Sequence, residues 1–335
     1  MAVRAEQALA AGRWVKWIAG ASNQDLAAIE DLAGLYALAG VHCVDVAADA
    51  AVVAAARRGL AWAEARGAAR PWLMVSLSDG QDPHFRKAWF DPQRCPPHCP
   101  RPCERVCPAL AIGEQATGAP GVLAERCYGC GRCLPACPLG LIAERSRVLE
   151  PEAVAPLLAE VGPEAVELHT SPGRQQAFEE RLDQLLASAL PLRRVAVSCG
   201  AEVPVAELWQ RFAALRARGL RPLWQLDGRP MSGDLGDGTA RAAVALLARR
   251  RQAMPPGPLQ LAGGTNARSL PLLEASASLA PACAGVAFGG VARRLLQPLL
   301  LEAQGRGVAL RHDPELCSRA LHLARSLLRP WLERS

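Results

Sequence analysis

The chain has 335 residues, half of them hydrophobic and 21% charged, with a mean hydropathy of +0.07; such a chain can bury a sizeable core, which excludes disorder as its dominant state. Its net charge of +6 is modest, its basic residues are Arg apart from Lys16 and Lys87, and aromatics are only 4%, so no nucleic-acid surface is expected. No uncharged run reaches the ~18 apolar residues of a membrane span, and Arg4, Glu6, Arg13 and Lys16 interrupt the stretch that a signal peptide would need; a cytoplasmic, not membrane-integral, protein is expected.

In chain order, a strand over residues 14–19 leads to a helix over 23–39, whose Leu26, Ile29, Leu32 and Leu35–Tyr36 form one apolar stripe. A strand over 41–47, a helix over 48–64 and a strand over 72–77 follow. Residues 85–145 break the alternation and carry eight of the twelve cysteines. The alternation resumes with a helix over 151–161. Strand–helix pairs then fall at 165–169 and 175–190, 195–199 and 204–218, 223–226 and 238–251, 259–262 and 267–279, and 285–288 and 291–304. A last helix covers 314–332. The strand-like runs are short, mostly contain β-branched or aromatic residues, and end near Gly, Asp, Ser or Asn.

Eight strands, each followed by a helix through a right-handed crossover, predict an α/β fold of the (β/α)8 TIM-like barrel type. An open doubly wound sheet is the alternative. Without residues 85–145 the chain is close to the ~250 residues of such a barrel. The domain reading is therefore 1–84 for the first three strands, 85–145 for a cysteine-rich module inserted after the third strand, and 146–335 for strands four to eight and the C-terminal helix. That insertion would emerge on the C-terminal face, where barrels place their active sites.

Eight cysteines this close together in an intracellular chain point to metal rather than disulfides. Cys127-x2-Cys130-x2-Cys133-x3-Cys137-Pro138 matches the bacterial ferredoxin spacing, with Gly129 and Gly131 expected to bring the backbone close to a cluster. Cys95-x3-Cys99-x3-Cys103-x3-Cys107-Pro108 departs from that spacing. In two-cluster ferredoxins the fourth cysteine of each run ligates the other cluster. Cys107, Cys127, Cys130 and Cys133 are thus assigned to one [4Fe–4S] cluster. Cys95, Cys103 and Cys137 take a second, with Cys99 as the uncertain ligand, and this second cluster is either [3Fe–4S] or a labile [4Fe–4S]. Paired zinc sites would use Cys-x2-Cys pairs set well apart; a single-cluster module with a decayed first quartet is the other alternative. His98 reads as a solvated loop residue. Eight basic side chains against five acidic ones between His84 and Arg145 would stabilise a reduced, anionic cluster, and read equally well as a solvated surface. Cys43, Cys199, Cys283 and Cys317 lie outside the module; the three in or beside strands read as buried small residues, with Cys199 expected to face the barrel mouth.

The seventh strand ends in Gly263-Gly264-Thr265 and the eighth in Gly289-Gly290, with Arg293 one turn on. Loops at these positions bind phosphate in many barrels, so these six residues are the candidate site for a phosphate-bearing ligand such as FMN. The polar loop 227–234 is expected on the same face. Asp45, His169, Ser198 and Asp227 lie near strand ends and are read as structural, while Lys16 is the one strand lysine available for a Schiff base. With no Ser-His-Asp order, GxGxxG or P-loop, no catalytic residue is assigned.

The opening GRWVKWIAGASNQDLAAIEDLAGLYALAGVHCVDVAAD, the PWLMVSLSDGQDPHFRKAWFDP stretch, and the QLDGRPMSGDLGDGTA and QLAGGTN segments together resemble LdpA, the light-dependent period family of cyanobacterial iron–sulfur proteins, over essentially the whole chain. The resemblance implies a redox sensor that reports light-dependent redox state to the circadian clock. Its partners would be clock input proteins and a redox carrier or quinone. The competing expectation is a flavin-dependent barrel oxidoreductase that receives electrons through its ferredoxin-like module.

Overall fold

A computed structural model describes residues 2–114, 118–229 and 236–334. Helix α1 (Ala2–Ala10) precedes β1 (Trp14–Gly20), α2 (Leu26–Ala39), β2 (Cys43–Ala47), α3 (Ala50–Glu64) and β3 (Trp72–Ser78). The inserted stretch holds β4 (Arg86–Trp89), α4 (Pro102–Arg105), β5 (Ile112–Glu114), β6 (Pro120–Val122), α5 (Cys133–Ala136) and β7 (Ala143–Ser146). Then come α6 (Pro151–Val161), β8 (Ala165–His169), α7 (Gln175–Ala187), β9 (Arg194–Gly200), α8 (Val205–Ala217) and β10 (Pro222–Asp227). The chain closes with α9 (Ala240–Arg250), β11 (Leu259–Ala262), α10 (Ser269–Glu274), β12 (Gly285–Phe288), α11 (Gly290–Gly305) and α12 (Pro314–Leu332). Among the described residues, no helix is long and apolar enough to cross a membrane.

Strands β1, β2, β3, β8, β9, β10, β11 and β12 pair in parallel in that order, and β12 returns to β1. The sheet is a closed (β/α)8 barrel, not the open doubly wound alternative. The two-residue period of each strand sorts its side chains. Val15, Trp17, Val44, Leu73, Val75, Val166 and Val197 turn outward into the main core beneath the helices. Trp14, Cys43, Trp72, Met74, Ala165, Ala196 and Leu223 turn inward and fill the lower end of the barrel. The next inward layer is polar, containing Lys16, Asp45, Ser76, Glu167, Ser198, Gln225 and Gln260, all buried.

Capping explains several helix limits. Asp25 accepts from the Ala28 N–H at the start of α2, and Gly40 ends that helix in the left-handed conformation. Asp49 and Asp313 cap α3 and α12 in the same way, the latter with Pro314 in the first turn.

Two features differ from the sequence expectation. Helix α1 was not anticipated; its Ala5 and Leu9 join the lower apolar layer, so it plugs the barrel floor. The seventh helix, expected over 267–279, is only Ser269–Glu274, followed by a short turn at Ala280–Ala282. Ser276 and Ser278 bond to each other rather than supporting a helix, and Pro281 bars its continuation. The inserted stretch leaves the barrel after β3 and re-enters it at α6. Within it, β4 pairs antiparallel with β7, Arg86 opposite Ser146, and β5 pairs with β6.

Candidate functional site

Cys107, Cys127, Cys130 and Cys133 surround one small pocket whose remaining wall includes Ala88, Ala109, Ala111 and Ile112. The four sulfurs therefore face apolar, largely dehydrated space. Cys95 contacts Cys99, and Cys95 and Cys103 both lie within electrostatic reach of Cys137. Cys107 of the first run thus lines the same pocket as three cysteines of the second. None of the eight is in a disulfide.

Backbone N–H groups also reach the sulfurs, from Ala88 to Cys127 (3.3 Å), Ala111 to Cys107 (3.2 Å) and Leu141 to Cys137 (3.4 Å). Burial pushes the Cys133 thiol up to about 12. At Cys137 burial acts the same way but is outweighed by N–H groups of Leu141, Leu139, Ile142 and Gly140, which hold it below the ordinary thiol value. Soft thiolates grouped in fours, with N–H···S donors and a dry wall, are the donor set that an iron–sulfur cluster needs.

The glycines of the second run both have positive φ. At Gly129, φ is +75°, and an added Cβ would lie 2.2 Å from the Arg86 carbonyl oxygen. Gly129 thus lies hard against the start of strand β4. A Cβ on Gly131 would meet only Glu144 Oε1, at an unstrained 3.6 Å, so its φ of +72° is what calls for glycine. The module's arginines are mostly engaged: Arg86 with Glu144 (2.9 Å), Arg101 with Glu104 (3.2 Å), Arg126 with Asp25 (3.6 Å), and Arg145 over the Trp89 ring. That favours the reading of a paired, solvated surface over a free positive field.

Tyr128, between two cysteines, reaches into the barrel mouth and lies beneath the Arg293 guanidinium, 4.2 Å from ring centroid to cation. Arg293 Nη1 in turn donates to the carbonyls of Ile18 (2.8 Å) and Ala19 (3.0 Å) on β1. Gly263, Gly264, Thr265, Gly289, Gly290 and Arg293 all line one pocket here, with Tyr128, His84, His169 and Asp227 on its other walls. The cavity is about 80 Å³. Thr265 donates its hydroxyl to the Ala287 carbonyl.

Beneath that pocket, Lys16 is fully buried and paired with Asp45 (2.9 Å) and Glu167. Burial alone would lower its pKa, but the two carboxylates raise it above the ordinary value. Lys16 is thus held as a buried cation between two carboxylates. Burial raises Asp45 to about 7 and Asp227 to about 6. Glu167 instead stays ionised because Lys16 and His169 outweigh its burial. Gln225 bonds to Glu167 (2.6 Å) and accepts from Gln260 (2.6 Å), and Ser76 donates to Asp45 (2.8 Å).

Cys199 does not face the mouth; it lies in the outer core, donates to the Gln225 carbonyl, and is raised by burial to about 12. Its neighbour Ser198 points inward to Asp227, because adjacent strand residues face opposite ways. Residues 230–234 of the polar loop lie outside the described residues. Asp82, His84, Glu167 and Gln225 were missed by the sequence analysis. The pairs Glu167/His169 and Gln225/Asp227, each two residues apart on a strand, were a signal for an inward polar face.

Two family models match the chain: an LdpA Fe–S cluster-binding domain over residues 95–148 and a light dependent period A C-terminal domain over 157–330. A light dependent period A protein of Synechococcus elongatus is 47% identical over 330 residues, covering 97% of this chain and 92% of that protein. Among solved structures, phosphoribosyl anthranilate isomerase from Thermotoga maritima is similar at 12% identity and a TM-score of 0.38, covering 94% of this chain and 99% of that one. (S)-3-O-geranylgeranylglyceryl phosphate synthase from Thermoplasma acidophilum is similar at 10% identity and a TM-score of 0.37, with 96% of each chain covered. Both likenesses concern the path of the chain alone.

Proposed function

Because the chain belongs to the light dependent period A family and carries its Fe–S cluster-binding domain, we propose that it is a two-cluster redox sensor that relays light-dependent redox state to clock input proteins. Cys107, Cys127, Cys130 and Cys133 hold a [4Fe–4S] cluster. Cys95, Cys103 and Cys137, with Cys99, hold a second that is [3Fe–4S] or a labile [4Fe–4S]. When bound, each supplies a reversible one-electron change of charge, exchanged with a redox carrier or quinone.

The observation that carries this reading is the contact between the cluster loop and the barrel mouth. Residues 124–128 lead into the second cysteine run and rest on the segment joining β1 to α2. The Gln24 N–H donates to the Glu125 carbonyl (2.8 Å), Lys87 bridges the Ala124 carbonyl and Gln24, and Tyr128 packs under Arg293. A change of charge beside Cys127 alters the field at Tyr128, Arg293 and Lys87, and these side chains set the relation between module and barrel. A partner that contacts both parts then binds the two redox states with different affinity.

An EPR-monitored redox titration of anaerobically purified protein tests the reading. Two cluster signals, each lost or gained with one electron and without a flavin radical, are expected. Cys130→Ser should remove one signal and Cys103→Ser the other. Binding of clock input proteins should differ between reduced and oxidised protein. A flavin semiquinone would move the reading to a barrel oxidoreductase, and no cluster signal at either extreme would sink both.

A further inference from the structure

Asp82, His84 and His169 each bring a ligand-capable atom to within 4.8 Å of the other two. Asp82 caps the short turn Pro83–Phe85, accepting from the His84 backbone N–H at 2.8 Å, which fixes the Asp-x-His pair as one rigid unit. His169, at the C-terminal end of β8, meets this unit with its ring centroid 4.7 Å from that of His84. The chain joining β3 to the inserted module is thus held against a barrel strand by three side chains that all commonly ligate metals.

We propose that Asp82, His84 and His169 form a mononuclear divalent transition-metal site at the seam between barrel and module. Ligand atoms around a tetrahedral ion with bonds of ~2.0–2.1 Å lie roughly 3.3 Å apart. Asp82 Oδ1 is 2.7 Å from His84 Nδ1 and 3.8 Å from His169 Nδ1, distances that bracket this value. A small movement of the half-exposed His84 completes the set.

A second, independent observation supports the site. His169 is 6% exposed, yet its Nδ1 has no hydrogen-bond partner. Its Nε2 is held by Glu167 Oε1 at 3.0 Å. A carboxylate that fixes one ring nitrogen and leaves the other free is the usual support behind a metal-bound histidine. Two imidazoles and one carboxylate favour zinc, iron(II) or manganese over magnesium or calcium. On binding, the ion takes the place of the hydrogen bond between His84 Nδ1 and Asp82 Oδ1, with His84 ligating as the neutral imidazole and keeping its one N–H on Nε2. His84 and His169 both line the mouth pocket, so the ion retains positions open to water or a small anion. The inference does not depend on the redox-sensor reading.

The test is a titration of cluster-loaded, anaerobic protein with Mn2+, reading free Mn2+ by room-temperature EPR. Manganese is chosen because it prefers oxygen and nitrogen over thiolate, so the cysteines do not compete. One Mn2+ per chain is expected, displaced by one equivalent of Zn2+. His84→Gln and Asp82→Asn should each weaken binding at least tenfold while cluster absorbance and far-UV circular dichroism stay unchanged. His84 is 32% exposed on a turn, so its replacement leaves the barrel core untouched, and Asp82→Asn provides an independent second variant. No binding at millimolar Mn2+, or equal binding by wild type and both variants, overturns the proposal.

Discussion

His42 shows how a single residue ties stability to pH. It lies at the lower end of the barrel, where its Nδ1 accepts the Val15 N–H (3.1 Å) and its ring stacks on Trp14. Burial, then the nearby Arg4 and Arg13, push its pKa down to about 4 from the ordinary 6.5. The unfolded chain therefore binds a proton that the folded chain refuses between those two values. Stability from this group is fully present above pH 6.5 and falls as pH drops toward 4. Between pH 7.5 and 5.5 the loss should be about 1 kcal/mol. Urea unfolding at both pH values checks this: His42→Asn should lose less than wild type over the interval, and identical losses would clear His42 of the effect.

At the scale of elements, the crossing of α2 and α3 depends on two glycines. A Cβ on Gly59 would lie 2.1 Å from the Glu30 carbonyl oxygen, and one on Gly34 would lie 2.9 Å from that of Gly59. The helices approach so closely that nothing larger than hydrogen fits between them. Alanine at Gly59 gains up to ~1 kcal/mol of helix propensity, but forcing the helices apart costs about 1–3 kcal/mol. The clash wins, since the obstacle is backbone and cannot rotate away. Gly59→Ala should lower the urea midpoint, whereas Gly305→Ala, with nothing within 4 Å, should leave it unchanged or raise it. The same reasoning applies at Gly129, whose Cβ would strike the backbone of β4.

For the whole molecule, the decisive feature is the polar layer inside the barrel. Lys16 on β1 pairs with Asp45 on β2 and Glu167 on β8, and Gln225 and Gln260 carry the network to β10 and β11. Removing the cation alone leaves Asp45 buried without a counter-charge and takes one of Glu167's partners, a loss of about 3–5 kcal/mol. Lys16→Met should therefore destabilise the whole barrel in equilibrium unfolding. Lys16→Met combined with Asp45→Leu should recover much of the loss, because Glu167 keeps His169 and Gln225 as partners. A double variant no more stable than the single one would show that the charge is not the cause.

The alternation of strands and helices, the inserted module and the grouping of cysteines were legible in the sequence because each follows from local periodicity or short fixed spacing. So were the glycine positions at the ends of β11 and β12, which the structure brings to one pocket. The size of that pocket, the pairing of Arg293 with Tyr128, the inward layer around Lys16 and the meeting of Asp82 and His84 with His169 were not. Lys16 and Glu167 are 151 positions apart and Asp45 and Ser76 are 31 apart; only closure of the barrel makes them neighbours. Sequence determines which residues share a strand face or a cysteine run. Which faces then meet, and whether a charged group finds its partner there, is decided by packing over distances along the chain that no local pattern records.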